Sequence, residues 1–354
     1  MPKVSILVLN FKQAKLTIDC VESLLKQTYK DFEIVIIDNN SEDGSFETFK
    51  KEFKNNKKIK VMQTGKNIGY AGGNNYAVKR TNSDYVAILN NDTVVQKDWL
   101  EWLVKGFKID PKVKVVGADM PVVGHKNPKV DSKKVGVTKT LTGYSVFFNR
   151  KKPLKDDTFV DQFSVGGCAL IYDRSVIDLP FPEEYFIYAE ETYFNWLIQL
   201  MGYRVIKATK SRGDHFHNIV KKTGGSKINH RFTFLAERNM YINMLIFFSP
   251  KNTLKIIPLM ILKAILRNLI EVKKIPDHLK AYLWILFHPK YIHEKRKFIR
   301  SVRKVSDDII VNRLSYKIYD PKKMTSFNSL MSFINKFVWV YCWIVRLKTI
   351  EFSK

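Results

Sequence analysis

Several short polar clusters in this chain hold the residue types that do chemistry, and most of them close a run of apolar residues. Leu89-Asn90-Asn91-Asp92 ends the run over 85–92, and its Asn90 and Asp92, two positions apart on a strand end, can point the same way. Oxygen-bearing side chains so placed can hold a divalent cation against a diphosphate, although an ordinary turn uses the same residues. Glu190-Glu191 opens a helical pattern bearing Phe194, Leu197, Ile198 and Met201. Acids suit a helix N-terminus for dipole reasons alone, and a glutamate there can also serve as general base toward a hydroxyl. His215 and His217 follow the last strand pattern in Gly213-Asp214-His215-Phe216-His217-Asn218. A histidine that meets Asp92 would complete a metal or pyrophosphate site.

Three further clusters stand at strand ends or before a helix. Asp38-Asn39-Asn40-Ser41 closes the run over 33–39, where an acid can accept hydrogen bonds from a ribose or a base; Asn40 to Ser45 would equally cap the next helix. Asn10-Phe11-Lys12 closes the run over 4–10 with no Gly-x-Gly-x-x-Gly behind it, which removes the nicotinamide and flavin fingerprint from the place it should occupy. Asn67-Ile68-Gly69-Tyr70-Ala71-Gly72-Gly73-Asn74-Asn75 leads into a helix containing Tyr76, Ala77 and Val78, and glycines before a helix N-terminus favour phosphate, or simply make a tight turn. Gly166 and Gly167, before Cys168, allow close backbone approach or mark a strand bulge.

The elements that must position these residues alternate. Apolar runs at 4–10, 33–39, 59–64 and 85–92 read as strands buried on both faces, separated by helical patterns such as Ile18, Val21, Leu24 and Leu25, then Phe46, Phe49 and Phe53, then Trp99, Leu103 and Phe107. This βαβα order predicts an α/β, Rossmann-like fold, with a mostly parallel sheet, helices on both faces and ligands beyond the C-terminal strand ends. Residues 121–160 read as a connection with one hairpin. A strand from Phe163 to Tyr172, a helix starting near Glu191 and a strand from Tyr203 to Ala208 extend the same domain, giving 1–230 as catalytic domain and 231–354 as a C-terminal helical region.

Charge sharpens the second part. The chain of 354 residues is 45% hydrophobic and 27% charged, a globular composition, and its net charge is +26. From Arg231 onward 24 Lys/Arg stand against 8 Asp/Glu, or +16, which leaves +10 for the rest. That excess calls for an anionic partner. No recognition helix, RNA-binding signature or zinc spacing is present, so no nucleic acid is expected. Cys20, Cys168 and Cys342 lie far apart, which argues against a disulfide framework and for a reducing, cytoplasmic setting, and Met1-Pro2-Lys3-Val4 shows no export signal. Of the apolar pieces 239–248, 253–270, 279–288 and 328–347, the second is broken by Lys255, Pro258, Lys263 and Arg267, and the fourth carries Lys336 and Arg346 around Phe337-Val338-Trp339-Val340-Tyr341-Cys342-Trp343; aromatics beside cations are the pattern of helices lying in a membrane interface. We expect peripheral contact with the anionic inner face of the cell membrane; a span over 328–347, a soluble helical subdomain and a homo-oligomer interface are the alternatives.

Taken together, VSILVLNF, ESLLKQTYKDFEIVIIDNNSEDGS, GKNIGYAGGNNYAVK, YVAILNNDTVV, GGCALIYDRSVI, FPEEYFIYAEETYFNWLIQLMGYRV and the His215 segment keep the order and spacing that resemble the inverting family-two glycosyltransferases of GT-A fold, especially the rhamnosyltransferase-like branch. The resemblance implies transfer of a sugar from a nucleotide-diphosphate donor, such as dTDP-rhamnose or a UDP-sugar, to a hydroxyl of a glycan or lipid-linked acceptor. It implies donor binding by Asn10, Asp38, Asn40, Asn67, Gly69, Gly73, Asn74 and Asn90. It makes Asp92 the surviving acid of a metal-binding Asp-x-Asp element for Mg²⁺ or Mn²⁺, with Asn90 where many relatives have aspartate, and His215 a contact to metal or diphosphate, with His217 in reserve. Glu191 takes the position of catalytic base and Glu190 that of its neighbour. The competing reading is a non-catalytic protein of the same fold that docks on a membrane or a partner.

Overall fold

The computed structural model describes residues 3–121, 135–140, 145–149, 158–216, 229–318 and 328–352. Branched apolar runs form β1 (Val4–Asn10), β2 (Phe32–Asp38), β3 (Ile59–Gln63) and β4 (Tyr85–Asn90), all parallel, in the order β3-β2-β1-β4. These strands do not alternate polar with apolar because helices cover both faces. Even-numbered Val4, Ile6 and Val8 of β1 enter one core layer, with α1 (Ala14–Leu25), α2 (Ser45–Glu52) and α4 (Trp99–Gly106). Leu7 enters the other with Val35 and Ile37, under α3 (Gly69–Val78) and α5 (Glu190–Leu200). Beyond β4 the sheet becomes mixed. β10 (Ala169–Asp173) runs antiparallel between β4 and β6 (Val113–Asp119), β11 (Arg204–His215) is parallel to β6, and β5 (Thr93–Val95) and β9 (Phe159–Asp161) pair antiparallel with β11.

Three details depart from the expectations. No single strand runs from Phe163 to Tyr172: β9 ends at Asp161, and β10 starts at Ala169, after a turn that contains Gly167. The glycines at 69–73 lie inside α3 rather than ahead of it, and a Cβ on Gly73 would sit 2.5 Å from Leu9 Cδ1. Its lack of a side chain therefore lets α3 lie close on β1. Finally, β11 does not stop at Ala208 but continues, past a register shift, to His215 as its last residue.

The chain divides into two compact units, one of residues 1–130, 154–198 and 203–227, the other of 131–153, 199–202 and 228–354. In the second, the antiparallel hairpin β7 (Val135–Lys139) and β8 (Ser145–Asn149) joins the C-terminal helices through a Thr140–Ser315 bridge. Those helices are α6 (His230–Phe247), α7 (Pro250–Ile270), α8 (Ile275–Phe287), α9 (Pro289–Val302), α10 (Asp308–Val311) and α11 (Asn328–Ile344). Ser249 caps α7 by accepting from Asn252 N, and Pro250 occupies its first turn, where a missing N–H costs nothing. Among the described residues no helix is long and apolar enough to cross a membrane, so the alternative of a span over 328–347 is not met.

Two of the cations that interrupt 253–270, Lys263 and Arg267, face inward. Glu237 is fully buried, and it is reached by the Arg267 guanidinium and by Tyr282 Oη at 2.8 Å. Lys263 Nζ lies 3.9 Å from it, and burial pulls this lysine down to about 8. Glu271 closes the network, with His278 Nε2 at 3.5 Å and Arg267 and Lys274 at 3.2 Å each. His278 first, then the two cations, hold its carboxyl down to about 2 against burial. A carboxyl depressed on folding adds stability above its ordinary value of 4.5 and loses it as pH falls toward 2. Glu271→Gln is accordingly expected to flatten the acid limb of a urea-midpoint-against-pH curve between about 4.5 and 2; an unchanged limb would remove this role.

Candidate active site

Parallel register sets Asn10 opposite Asp38 at the tips of β1 and β2. Asn10 Nδ2 donates to Asp38 Oδ1 at 2.8 Å and to Ser41 Oγ at 3.0 Å, while its Oδ1 accepts from Thr17 Oγ1 at 2.9 Å. Asp38 also accepts from Ser41 N and from Gln63 Nε2. Both residues are buried and their hydrogen bonds are internal, so what they visibly do is fix the tips of two strands. Asn39, which sequence reasoning passed over, ties this corner to α3. Its Nδ2 donates to Asn67 Oδ1 and Gly69 O, and its Oδ1 accepts from Ile68 N and Thr64 Oγ1. The signal available was its place beside Asp38 at a strand end. Asn40 adopts φ 56° and donates to Glu42, exposed to solvent. Asn74 is buried, gives its Nδ2 to Tyr70 O, and keeps a buried Oδ1 without a hydrogen-bond donor. Such an orphaned acceptor is costly unless something else meets it.

The second half of the site is made by a register between distant strands. β5 pairs with β11 so that Thr93 stands opposite His215, and Asp92, one residue earlier, is carried to the imidazole. His215 Nε2 lies 3.2 Å from Asp92 Oδ1, both side chains under one-tenth exposed. Burial opposes a charge on the ring, but the bond to Asp92, helped by Cys168, outweighs it and raises His215 to about 9. The pair is thus an imidazolium–carboxylate at neutral pH. Asn90 N donates to Cys168 O at 2.8 Å, which holds the end of β4 against the start of β10. His217 lies outside the described residues.

Tyr70 joins this pair to the acids of α5. Its Oη donates to Gly167 O at 2.6 Å. Burial first, then Coulombic interaction with Glu190 and other neighbouring acids, pushes the phenol well above its ordinary pKa. A Cβ on Gly167 would be 3.4 Å from Tyr70 Oη and 3.5 Å from Glu191 Cβ, so the glycine opens room between them. Glu190 is buried and Glu191 half-buried at the first turn of α5. Phe186, Tyr188 and Ala189 just before them all have positive φ, a conformation that side chains rarely adopt and that surrounding structure must enforce. Part of that enforcement is α3, whose Ala71 N donates to Phe186 O at 3.1 Å.

Gly69, at φ 77°, is where this docking is most exposed to mutation, because a Cβ there would run into the Phe186 carbonyl and ring. Backbone strain and overpacking add, so Gly69→Ala is expected to cost at least ~2 kcal/mol, read as a lowered urea midpoint. Equal midpoints would show that α3 does not depend on this approach.

As metal ligands, Asp92 and His215 supply one carboxylate and one imidazole, and among the described residues no group of three or more His, Cys, Asp or Glu is arranged to hold an ion. Mg²⁺ characteristically takes one or two carboxylates plus substrate phosphates rather than a cage of protein ligands. This donor set therefore fits an ion completed by a bound diphosphate. Loading it would require loss of the His215 proton.

Residues 5–179 match the sequence profile of the family described as Glycosyl transferase family 2. Poly-beta-1,6-N-acetyl-D-glucosamine synthase of Staphylococcus aureus is 27% identical over 204 residues, which cover 57% of this chain and 47% of that protein. The chain thus spans about half the length of the curated relatives it matches first. Among solved structures, GalNAc-T7 with UDP, GalNAc and Mn²⁺ superposes with a TM-score of 0.60 at 14% identity, over 71% of this chain and 49% of that one. S. aureus TarS 1–349 in complex with UDP-GlcNAc gives 0.56 at 15% identity, over 94% and 89%. The first unit has the GT-A fold.

Proposed function

We propose, from the match of residues 5–179 to glycosyl transferase family 2, that this chain transfers a sugar from a nucleotide-diphosphate donor to a hydroxyl of a glycan or lipid-linked acceptor, with inversion. The observation that carries the reading is that Gly167 stands between Tyr70 and Glu191, while Cys168, the next residue, holds the end of β4 two residues before Asp92, which meets His215. A base for the acceptor and a charged pair for the leaving diphosphate then share one rim of the sheet.

Glu191, the more open of the two acids, takes the proton of the acceptor hydroxyl as it attacks the anomeric carbon; Glu190 is its buried neighbour. One displacement inverts the centre, and no carboxylate nucleophile is required. Asp92 and His215, with the side-chain oxygen of Asn90 in support, would hold Mg²⁺ or Mn²⁺. The ion, when bound, neutralises charge that grows on the leaving group. The nucleotide lies over the tips of β1 and β2 near Asn10, Asp38, Asn40 and Asn67, and the first turns of α3, with Gly69, Gly73 and Asn74, border the sugar. The orphaned Asn74 Oδ1 is suited to accept from a sugar hydroxyl or amide.

UDP and UDP-GlcNAc in the two structural neighbours favour a UDP-sugar over dTDP-rhamnose, and hence over a rhamnosyltransferase-like specificity. The polysaccharide synthase among the relatives favours a glycan acceptor. The +16 excess of residues 231–354 favours work at the cytoplasmic, anionic face of a membrane. A panel of nucleotide sugars, scored by nucleoside diphosphate release with and without EDTA, tests the proposal. We expect release with a UDP-sugar that EDTA suppresses at least tenfold; no release with any donor would leave the non-catalytic reading in its place.

A further inference from the structure

We propose that α11 is the segment that seats this chain on an anionic phospholipid bilayer, lying in the interface with one apolar stripe in the lipid. This rests on the proposed work at a membrane and is independent of the proposed chemistry. Leu330, Phe333, Phe337, Val340 and Ile344 recur at intervals of three and four along the helix and are 43% to 65% exposed. The opposite face, with Met331, Val338 and Cys342, is buried. The helix is therefore not a misassigned core element, since its inner face is already packed. It is also fixed in place: Tyr341 Oη donates to Lys255 O at 2.9 Å, Lys255 Nζ to Arg346 O at 3.1 Å, and Asn335 Oδ1 accepts from Ile318 N at 3.0 Å.

What covers the stripe follows from the charge around it. Residues 321–350 contain five Lys/Arg and no Asp/Glu. A second copy docked stripe to stripe would bring Lys336 and Arg346 against their own equivalents with no acid on the segment to pair them. An anionic leaflet satisfies both features, since it takes up the apolar side chains and attracts the cations. Trp339 and Trp343 add large exposed amphipathic rings beside the stripe, the residue type that sits at headgroup level. At 17 residues the helix is roughly 25 Å long, shorter than a spanning helix of ~20 apolar residues, and suits an in-plane position.

The test is sedimentation of the full chain with vesicles of pure phosphatidylglycerol or pure phosphatidylcholine. We expect binding to the first and little to the second, with at least a tenfold loss for the double variant Phe333→Ser, Phe337→Ser. Both side chains are more than half exposed, so the urea midpoint should hold, and Phe333→Leu, Phe337→Leu should restore binding. Three results would each overturn the proposal: no binding by the parent chain, undiminished binding by the serine variant, or a concentration-dependent dimer that the serine variant abolishes while vesicles are ignored. Diphosphate release measured without vesicles separates the two readings. Release without vesicle binding sinks the docking alone, whereas vesicle binding that the serine variant loses, without release, sustains docking and sinks the chemistry.

Discussion

Glu191→Gln is expected to stop sugar transfer while leaving the donor bound. The substitution keeps the size and removes the ability to take a proton, and a positioned general base contributes on the order of 10²- to 10⁴-fold. We therefore expect diphosphate release in the presence of acceptor to fall by at least ~100-fold, with donor affinity by calorimetry changed less than about threefold. The choice between the adjacent acids rests on exposure. Glu190 is buried, whereas Glu191 is half-buried next to the space that Gly167 leaves, where an acceptor can approach. A Glu191→Gln protein that turns over at the parent rate would end the assignment, and loss confined to Glu190→Gln would transfer it to the neighbour.

The second large effect belongs to Asp92→Ala. The carboxylate is the leading favourable partner that keeps His215 charged in a buried position, so its removal takes that support away while the cost of burial stays. Breaking a buried pair from one side costs more than the pair itself contributes, here about 1–3 kcal/mol of stability. Donor affinity should weaken at least tenfold, and the gain in affinity on adding Mn²⁺ should vanish, because the one carboxylate among the proposed ligands is gone. Titration of donor with and without Mn²⁺ measures both. If the variant retains the full Mn²⁺ effect, the ion sits elsewhere.

The site was legible in parts and its assembly was not. Asp92, Glu190, Glu191 and His215 could each be picked out because they end or begin an apolar pattern, a signal confined to a few neighbouring residues. Asn39 was missed because four ordinary hydrogen bonds to the 64–69 segment leave no trace in residue type. Tyr70 was passed over as one residue of a glycine cluster, since its importance comes from a carbonyl 97 positions away. Lys263 and Arg267 were read as interruptions facing an interface. They serve instead a buried Glu237 thirty residues or fewer earlier in the chain, which periodicity cannot reveal.

By itself the sequence determined the βαβα order, the doubly covered strands β1 to β4 and the polar tips where a ligand is expected, because these depend on local apolar spacing. Only the tertiary structure decided that β11 runs on to His215 and pairs with β5, that β10 inserts antiparallel between β4 and β6, and that Gly167 stands between Tyr70 and Glu191. Strand order and register are fixed by which faces can be buried together across the whole sheet, and that is a property of many distant residues at once.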